Sequence, residues 1–222
     1  MSPRAAFWKD VGCTFLQAAC GDVVFQLLIG IYTDLRIEDV NMSASLEING
    51  QTVGPDRPVY TVAEMSANHN QEYDRAVQIV EVAAEAGADA IKLQTYKPGT
   101  LTIDSDEEPF QIKEGPWAGR TLYDLYEEAY TPWDWQPELQ EIAHELGLDF
   151  FSSPFDASAV EFLEDLDVPV YKIASFENID LPLIRRIAET GKPTIISTGM
   201  ATLVEIDEAV RAYRDAGGTE LA

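Results

Sequence analysis

Five short apolar runs, each turning polar at its C-terminal end, constrain this chain more than any other feature. They fall at 59–64, 90–94, 149–153, 171–177 and 194–198. Between them the apolar residues change to helical spacing, as with Ala76, Ile79, Val80, Val82, Ala83 and Ala84. Strands that alternate with helices predict a parallel sheet with right-handed crossovers. Strands that all turn polar at the same end predict an active site at one face of that sheet or barrel.

The patterns place strands at 59–65, 89–94, 149–153, 169–174 and 193–198. Helices are expected at about 71–87, 121–130, 131–144, 156–165, 180–190 and 202–216. A long stretch, about 97–120, is rich in Gly, Pro and acids and reads as a functional or mobile loop. The count is five βα units. A (β/α)8 barrel takes eight, typically over ~250 residues, whereas an open doubly wound sheet is satisfied with five. A sixth strand would start near Thr219. The polar run after the first strand, Glu64-Met65-Ser66-Ala67-Asn68-His69-Asn70, contains no glycine, which argues against a dinucleotide site.

Residues 1–41 differ from the rest. They are apolar, hold both cysteines, Cys13 and Cys20, and show no clear period. Met42 then opens a segment that reads as a natural start with a small hairpin. Residues 1–41 are therefore expected to be an atypical extension, possibly not native; the alternative is an amphipathic N-terminal helix. The remainder, 42–222, reads as one unit. The apolar run 23–32 is interrupted by Gln26 and is too short to span a bilayer. With no disulfide framework and no clean signal peptide, a cytoplasmic protein with no membrane partner is expected.

Charge narrows the partners. Lys and Arg total 15 against 39 Asp and Glu, a net charge of −24. That field repels phosphates, so no nucleic-acid partner is expected. The acidic, lysine-poor composition also suggests a halophilic protein. An anionic substrate would need locally placed cations, and the lysines are only Lys9, Lys92, Lys97, Lys113, Lys172 and Lys192. Lys92 and Lys172 sit within apolar strand patterns. A buried ammonium is costly unless something anionic meets it. For each lysine that is either a strand-end carboxylate, such as Glu177 for Lys172, or an anionic substrate. Serines at strand ends, Ser153, Ser175 and Ser197, are short donors that could serve such a ligand or merely satisfy a turn.

The other candidates carry blander readings beside the functional ones. Gln94 could hold a hydroxyl or amide, or cap a loop. His69 reads as a loop hydrogen-bonder and His144 as a helix C-terminal cation, neither as a metal ligand. Trp117, Tyr123, Tyr126, Tyr130, Trp133 and Trp135 could line a sugar pocket or pack a core. The acids 104–108 lack the spacing of a calcium loop.

Several motifs together carry a resemblance. They are Ala63-Glu64-Met65-Ser66-Ala67-Asn68-His69-Asn70, Gly87-Ala88-Asp89-Ala90-Ile91-Lys92-Leu93-Gln94-Thr95, Phe151-Ser152-Ser153-Pro154-Phe155-Asp156, the run 171–177, and Ser197-Thr198-Gly199-Met200. In order and spacing they resemble the sialic acid synthase family over 59–217. Residues 117–126 and 129–133 resemble its pseudaminic acid synthase branch. The resemblance implies a partial (β/α)8, TIM-type barrel, with the C-terminal part missing.

It also implies condensation of phosphoenolpyruvate with an N-acetylated hexose derivative, giving a nine-carbon 2-keto sugar acid and phosphate. By correspondence Lys92, Lys172, Ser153, Ser175 and Ser197 match phosphoenolpyruvate-binding positions. Glu64 and Gln94 match positions facing the sugar, and Glu177 matches a glutamate near the reacting centre. Glu177 could activate water, fix Lys172, or both. The complete enzyme is expected to use a divalent metal, manganese or magnesium, and to be a homodimer. The two metal-binding histidines of the family are expected beyond Ala222, so no metal site is expected in this chain. Five strands of eight would leave two apolar edges open. The alternatives are a non-catalytic fragment that needs a complementary chain, another phosphoenolpyruvate-using 2-keto acid synthase, and a Schiff-base aldolase using Lys172.

Overall fold

In a computed structural model, which describes residues 45–115 and 117–222, the apolar runs form one parallel sheet. Its strands are β3 (Val62–Glu64), β4 (Ala90–Thr95), β5 (Asp149–Pro154), β6 (Tyr171–Ile173) and β7 (Thr194–Ile196). Their order in the sheet is their order in sequence, β3-β4-β5-β6-β7, and every pair is parallel. A doubly wound sheet reverses its order partway across. Unbroken sequential order is that of a barrel wall, so the sheet is a half-barrel. Residues 220–222 run beside β7: Thr194 and Leu221 form a parallel bridge, and the Ile196 amide donates to the Ala222 carbonyl. This is where a sixth strand was expected. The reading of residues 1–41 lies outside the described residues.

Before the sheet comes a hairpin, β1 (Leu46–Ile48) and β2 (Gln51–Val53). Its turn residues Asn49 and Gly50 both have positive φ, 47° and 80°. That is the Asn-Gly turn whose twist suits two-residue hairpins. Leu46, Ile48 and Val53 are buried. Asn49 and Tyr60 both donate to the Asp149 carboxylate, at 2.7 and 2.6 Å. Asp149 opens β5, so the hairpin lies at the N-terminal ends of the strands, away from the polar ends.

The helices are α1 (Tyr73–Glu85), α2 (Pro98–Leu101), α3 (Leu122–Ala129), α4 (Gln136–Glu145), α5 (Ala157–Asp165), α6 (Leu181–Ala188) and α7 (Leu203–Asp215). Each long helix buries one stripe: Ala76, Val80 and Ala83 on α1, Leu183, Ile184 and Ile187 on α6, Ala209, Ala212 and Tyr213 on α7. Fully burying a Leu, Ile or Phe side chain contributes roughly 1.5–3 kcal/mol. Side-chain caps start four helices: Thr121, Asp156, Asp180 and Thr202 each accept a first-turn amide. Two expectations need correction. Thr131-Pro132 does not open a helix; a 3-10 turn at Trp133–Trp135 intervenes and α4 starts at Gln136, with Pro137 in its first turn. The stretch 97–120 is not without structure, because it carries α2, a 3-10 turn at Glu108–Phe110 and a bridge from Gln111 to Thr121.

Candidate active site

Parallel register keeps the inner face of the half-barrel chemically consistent. In β4, Ile91, Leu93 and Thr95 are fully buried, whereas Lys92 and Gln94 between them are only partly covered. Side chains alternate across a strand, so Lys92 and Gln94 share one face. Glu64 stands directly across from Lys92, and Ser153 directly across from Gln94. On β6 the pairing of Ser152 with Tyr171 sets Lys172 beside Ser153. The outer face has its own polar pin. Thr95 Oγ1 meets Ser152 Oγ at 2.7 Å and donates to Gln136 Oε1 at 2.9 Å, tying β4 and β5 to α4.

On this inner face the two lysines find different partners. Lys92 is ion-paired with Glu64. Lys172 Nζ donates to Ser197 Oγ at 2.5 Å and to the Ile173 carbonyl at 2.7 Å. Glu177 was one expected partner for Lys172, and it does not form that ion pair. It lies in a 3-10 turn, Glu177–Ile179, that lifts it into the loop, while the β6–β7 register brings Ser197 to the lysine. Glu177 still acts on Lys172 through its charge.

The electrostatics bind these groups into one unit. Burial, then the charge of Lys92, pushes the Lys172 ammonium down to about 8, against a pull upward from Glu64 and Glu177. Burial raises the Glu177 carboxyl above its usual range, with Asp180 adding to it and Lys172 opposing. Glu177 Oε2 is buried without a hydrogen-bond partner. Ser175 follows β6 in the adjoining loop.

Ser175 packs closely against Gly199, whose role the sequence did not reveal. Gly199 has φ +43°, and a Cβ there would lie 2.4 Å from Ser175 Cβ. Glycine at that position lets the loops after β6 and β7 close together. In the sequence Gly199 shows only as a glycine just past a strand end, inside the motif Ser197-Thr198-Gly199-Met200. Thus Glu64 pairs with Lys92 and Lys172 with Ser197, Gln94 and Ser153 share their face, and Ser175 and Glu177 stand in the loop above.

His69, Trp133 and Trp135 are held in packing and hydrogen bonds away from this face. His69 is fully buried; its Nδ1 accepts from the Gln71 amide at 3.1 Å and its Nε2 meets Thr131 Oγ1 at 3.2 Å. Burial, helped by Arg75, lowers it to about 4, so it is neutral. Trp135 packs edge-on against His69 and Tyr73, and Trp133 packs on Phe162 while its Nε1 donates to the Tyr96 carbonyl. These two tryptophans therefore fasten the 3-10 turn to neighbouring loops and helices. Among the described residues there is no group of three or more His, Cys, Asp or Glu side chains that could hold a metal ion. No helix among them is long and apolar enough to cross a membrane.

Comparison with known proteins places these features in a lineage. The NeuB family model matches residues 79–222. Pseudaminic acid synthase of Helicobacter pylori is 48% identical over 158 residues, which are 71% of this chain and 46% of that protein. Pseudaminic acid synthase of Campylobacter jejuni is 46% identical over 166 residues, 75% of this chain and 48% of that protein. The chain thus spans about half the length of the curated relatives it matches. Among solved structures, the N-acetylneuraminic acid synthetase of Leptospira borgpetersenii superposes with a TM-score of 0.70 at 26% identity, covering 82% of this chain and 60% of that one.

Proposed function

The chain belongs to the NeuB family, and from that premise we propose that its strand-end cluster is the phosphoenolpyruvate half of a nonulosonate synthase site. One observation carries the reading. Two lysines, Lys92 on β4 and Lys172 on β6, share the inner face on either side of β5, and the charge of Lys92 adds to the burial that lowers the Lys172 pKa. Two ammonium groups held together against repulsion and burial suit a ligand with two anionic groups close together. Phosphoenolpyruvate carries a carboxylate and a phosphate three bonds apart. Ser153, Ser175 and Ser197 would add neutral donors around it.

The reaction then divides among the chain's own residues. C3 of the enolpyruvate attacks the aldehyde carbon of an N-acetylated hexose derivative, forming the new carbon–carbon bond as the carbonyl π bond breaks and its oxygen takes up a proton. Water adds at C2, and the tetrahedral intermediate expels phosphate to leave the 2-keto acid. Glu177, with its raised pKa and an unpartnered buried oxygen, would take the proton from that water. Glu64 and Gln94 would hold hydroxyl or amide groups of the sugar. The pseudaminic acid synthases among the relatives favour a pseudaminic-type product. The divalent metal expected for the complete enzyme, which would polarise the aldehyde oxygen, finds no group of three or more ligands among the described residues.

The test is calorimetric titration of the chain with phosphoenolpyruvate. Binding by the wild type that is lost in both Lys92→Met and Lys172→Met is the expected result; no binding by folded wild-type protein refutes the reading. A second reading, imine formation at Lys172, is favoured by its lowered pKa. Borohydride with pyruvate decides between them: a trapped adduct on Lys172 supports the imine, and its absence the synthase chemistry.

A further inference from the structure

We propose that Glu64 is an electrostatic gate on the anion site: in the free site it neutralises Lys92, and an incoming anion must take Lys92 from it. The proposal rests on the phosphoenolpyruvate reading above and adds a competitor within the site.

The asymmetry of the two lysines motivates it. Both hydrogen-bond partners of Lys172, Ser197 Oγ and the Ile173 carbonyl, are neutral and can remain while a ligand binds. Lys92, by contrast, is already matched with a carboxylate directly across the β3–β4 ladder. The free cluster of Lys92, Lys172, Glu64 and Glu177 carries two charges of each sign. A polyanion entering it meets two carboxylates, and one must withdraw.

Glu177 is half-buried in its 3-10 turn. Glu64 ends β3, with its side chain 37% exposed against 16% for Lys92. Glu64 is therefore the member that can move to water at little desolvation cost, while Lys92 stays. Partly exposed ion pairs are weak enough to be exchanged for a charge-assisted bond to a dianion. Once released, the Glu64 carboxylate is a free acceptor for a hydroxyl of a second, neutral substrate. The two ligands would then strengthen each other's binding by the same factor, as linkage requires.

The gate gives a result that a purely structural or purely sugar-binding Glu64 does not. Glu64→Gln removes the competing charge at nearly constant volume. It should bind phosphoenolpyruvate, with no sugar present, roughly tenfold more tightly at low ionic strength, the size expected for one partly screened charge within several ångströms. The gain should shrink as salt is raised. Glu64→Ala must also tighten binding, since it makes the same charge change with a different shape. Glu64→Asp keeps the charge and should stay within about threefold of wild type. Titration of the full 222-residue chain with phosphoenolpyruvate, after melting curves show each protein folded, reads all four. Equal or weaker binding by both neutral variants, or equal tightening by Asp and Gln, overturns the gate while leaving the anion site intact. No binding by wild type or either neutral variant overturns the gate and the phosphoenolpyruvate reading together.

Discussion

Lys172 is a lysine whose protonation state lies within reach of ordinary solution conditions. Its pKa falls from 10.5 to about 8 because burial and Lys92 both penalise the charged form. Anion binding needs that charge, so affinity for phosphoenolpyruvate should fall as pH rises through about 8. Titrations on either side of that value check it, and a flat profile would separate Lys172 from the ligand. The sign for stability is opposite. Between about 8 and 10.5 the unfolded chain holds the proton that the folded chain has lost, so this group makes stability rise with pH across that window. Gly199 supplies a second residue-level test. Gly199→Ala combines φ +43° with a 2.4 Å approach to Ser175, and a strained left-handed residue alone costs of order 1–3 kcal/mol. Gly87→Ala has φ +75° but open space around it. Thermal melts should show the larger loss at Gly199, and only that variant should also weaken anion binding.

At the scale of elements, the half-barrel depends on how loops are fastened between strand and helix. His69 fastens the loop after β3 to Thr131, which precedes α4. A histidine held near 4 instead of 6.5 stabilises the fold fully above its unfolded pKa, and the contribution is lost as pH falls toward 4. Wild-type protein should therefore lose melting temperature from pH 6.5 downward, and His69→Gln should flatten the upper part of that decline. Equal slopes would deny His69 the role. The caps work on the same scale. Thr202 accepts from the Glu205 amide, and Glu205 reaches back to the Thr202 amide, closing both ends of a capping box at the start of α7. Thr202→Ala should cost about 1 kcal/mol, read as a lower urea midpoint with unchanged slope.

For the molecule as a whole, charge is the dominant variable. A net charge of −24 on a chain with 15 cations makes self-repulsion a general cost of compactness. We propose that the fold is adapted to high salt. Melting temperature should rise between low and molar KCl, and no rise would reject the adaptation. The local consequence is sharper. In so negative a field an anion site needs cations held together, and Lys92 and Lys172 are the lysines that the sheet brings to one face.

By itself the sequence determined the alternation of strands and helices, the hairpin at Asn49-Gly50, and the strand ends that carry Glu64, Lys92, Gln94, Ser153, Lys172 and Ser197. These follow from local pattern: period two against period 3.6, turn residues, and polar groups where apolar runs stop. Local pattern left open whether the sheet was a barrel wall or doubly wound, because both need the same alternation, and only the resemblance of the motifs pointed to a barrel. The sequential strand order bears the barrel out. Sequence also could not say which group each lysine would meet. Glu177 is close to Lys172 along the chain, yet the lysine's hydroxyl partner is Ser197, 25 residues away. Lys92 meets Glu64 from the neighbouring strand. Such pairings are set by register between strands and by turns such as Glu177–Ile179. Gly199 is the same case, since nothing near it in sequence reveals that Ser175 packs where its side chain would be. Local chemistry is written along the chain, but contacts between charges depend on distances that exist only after the strands have paired.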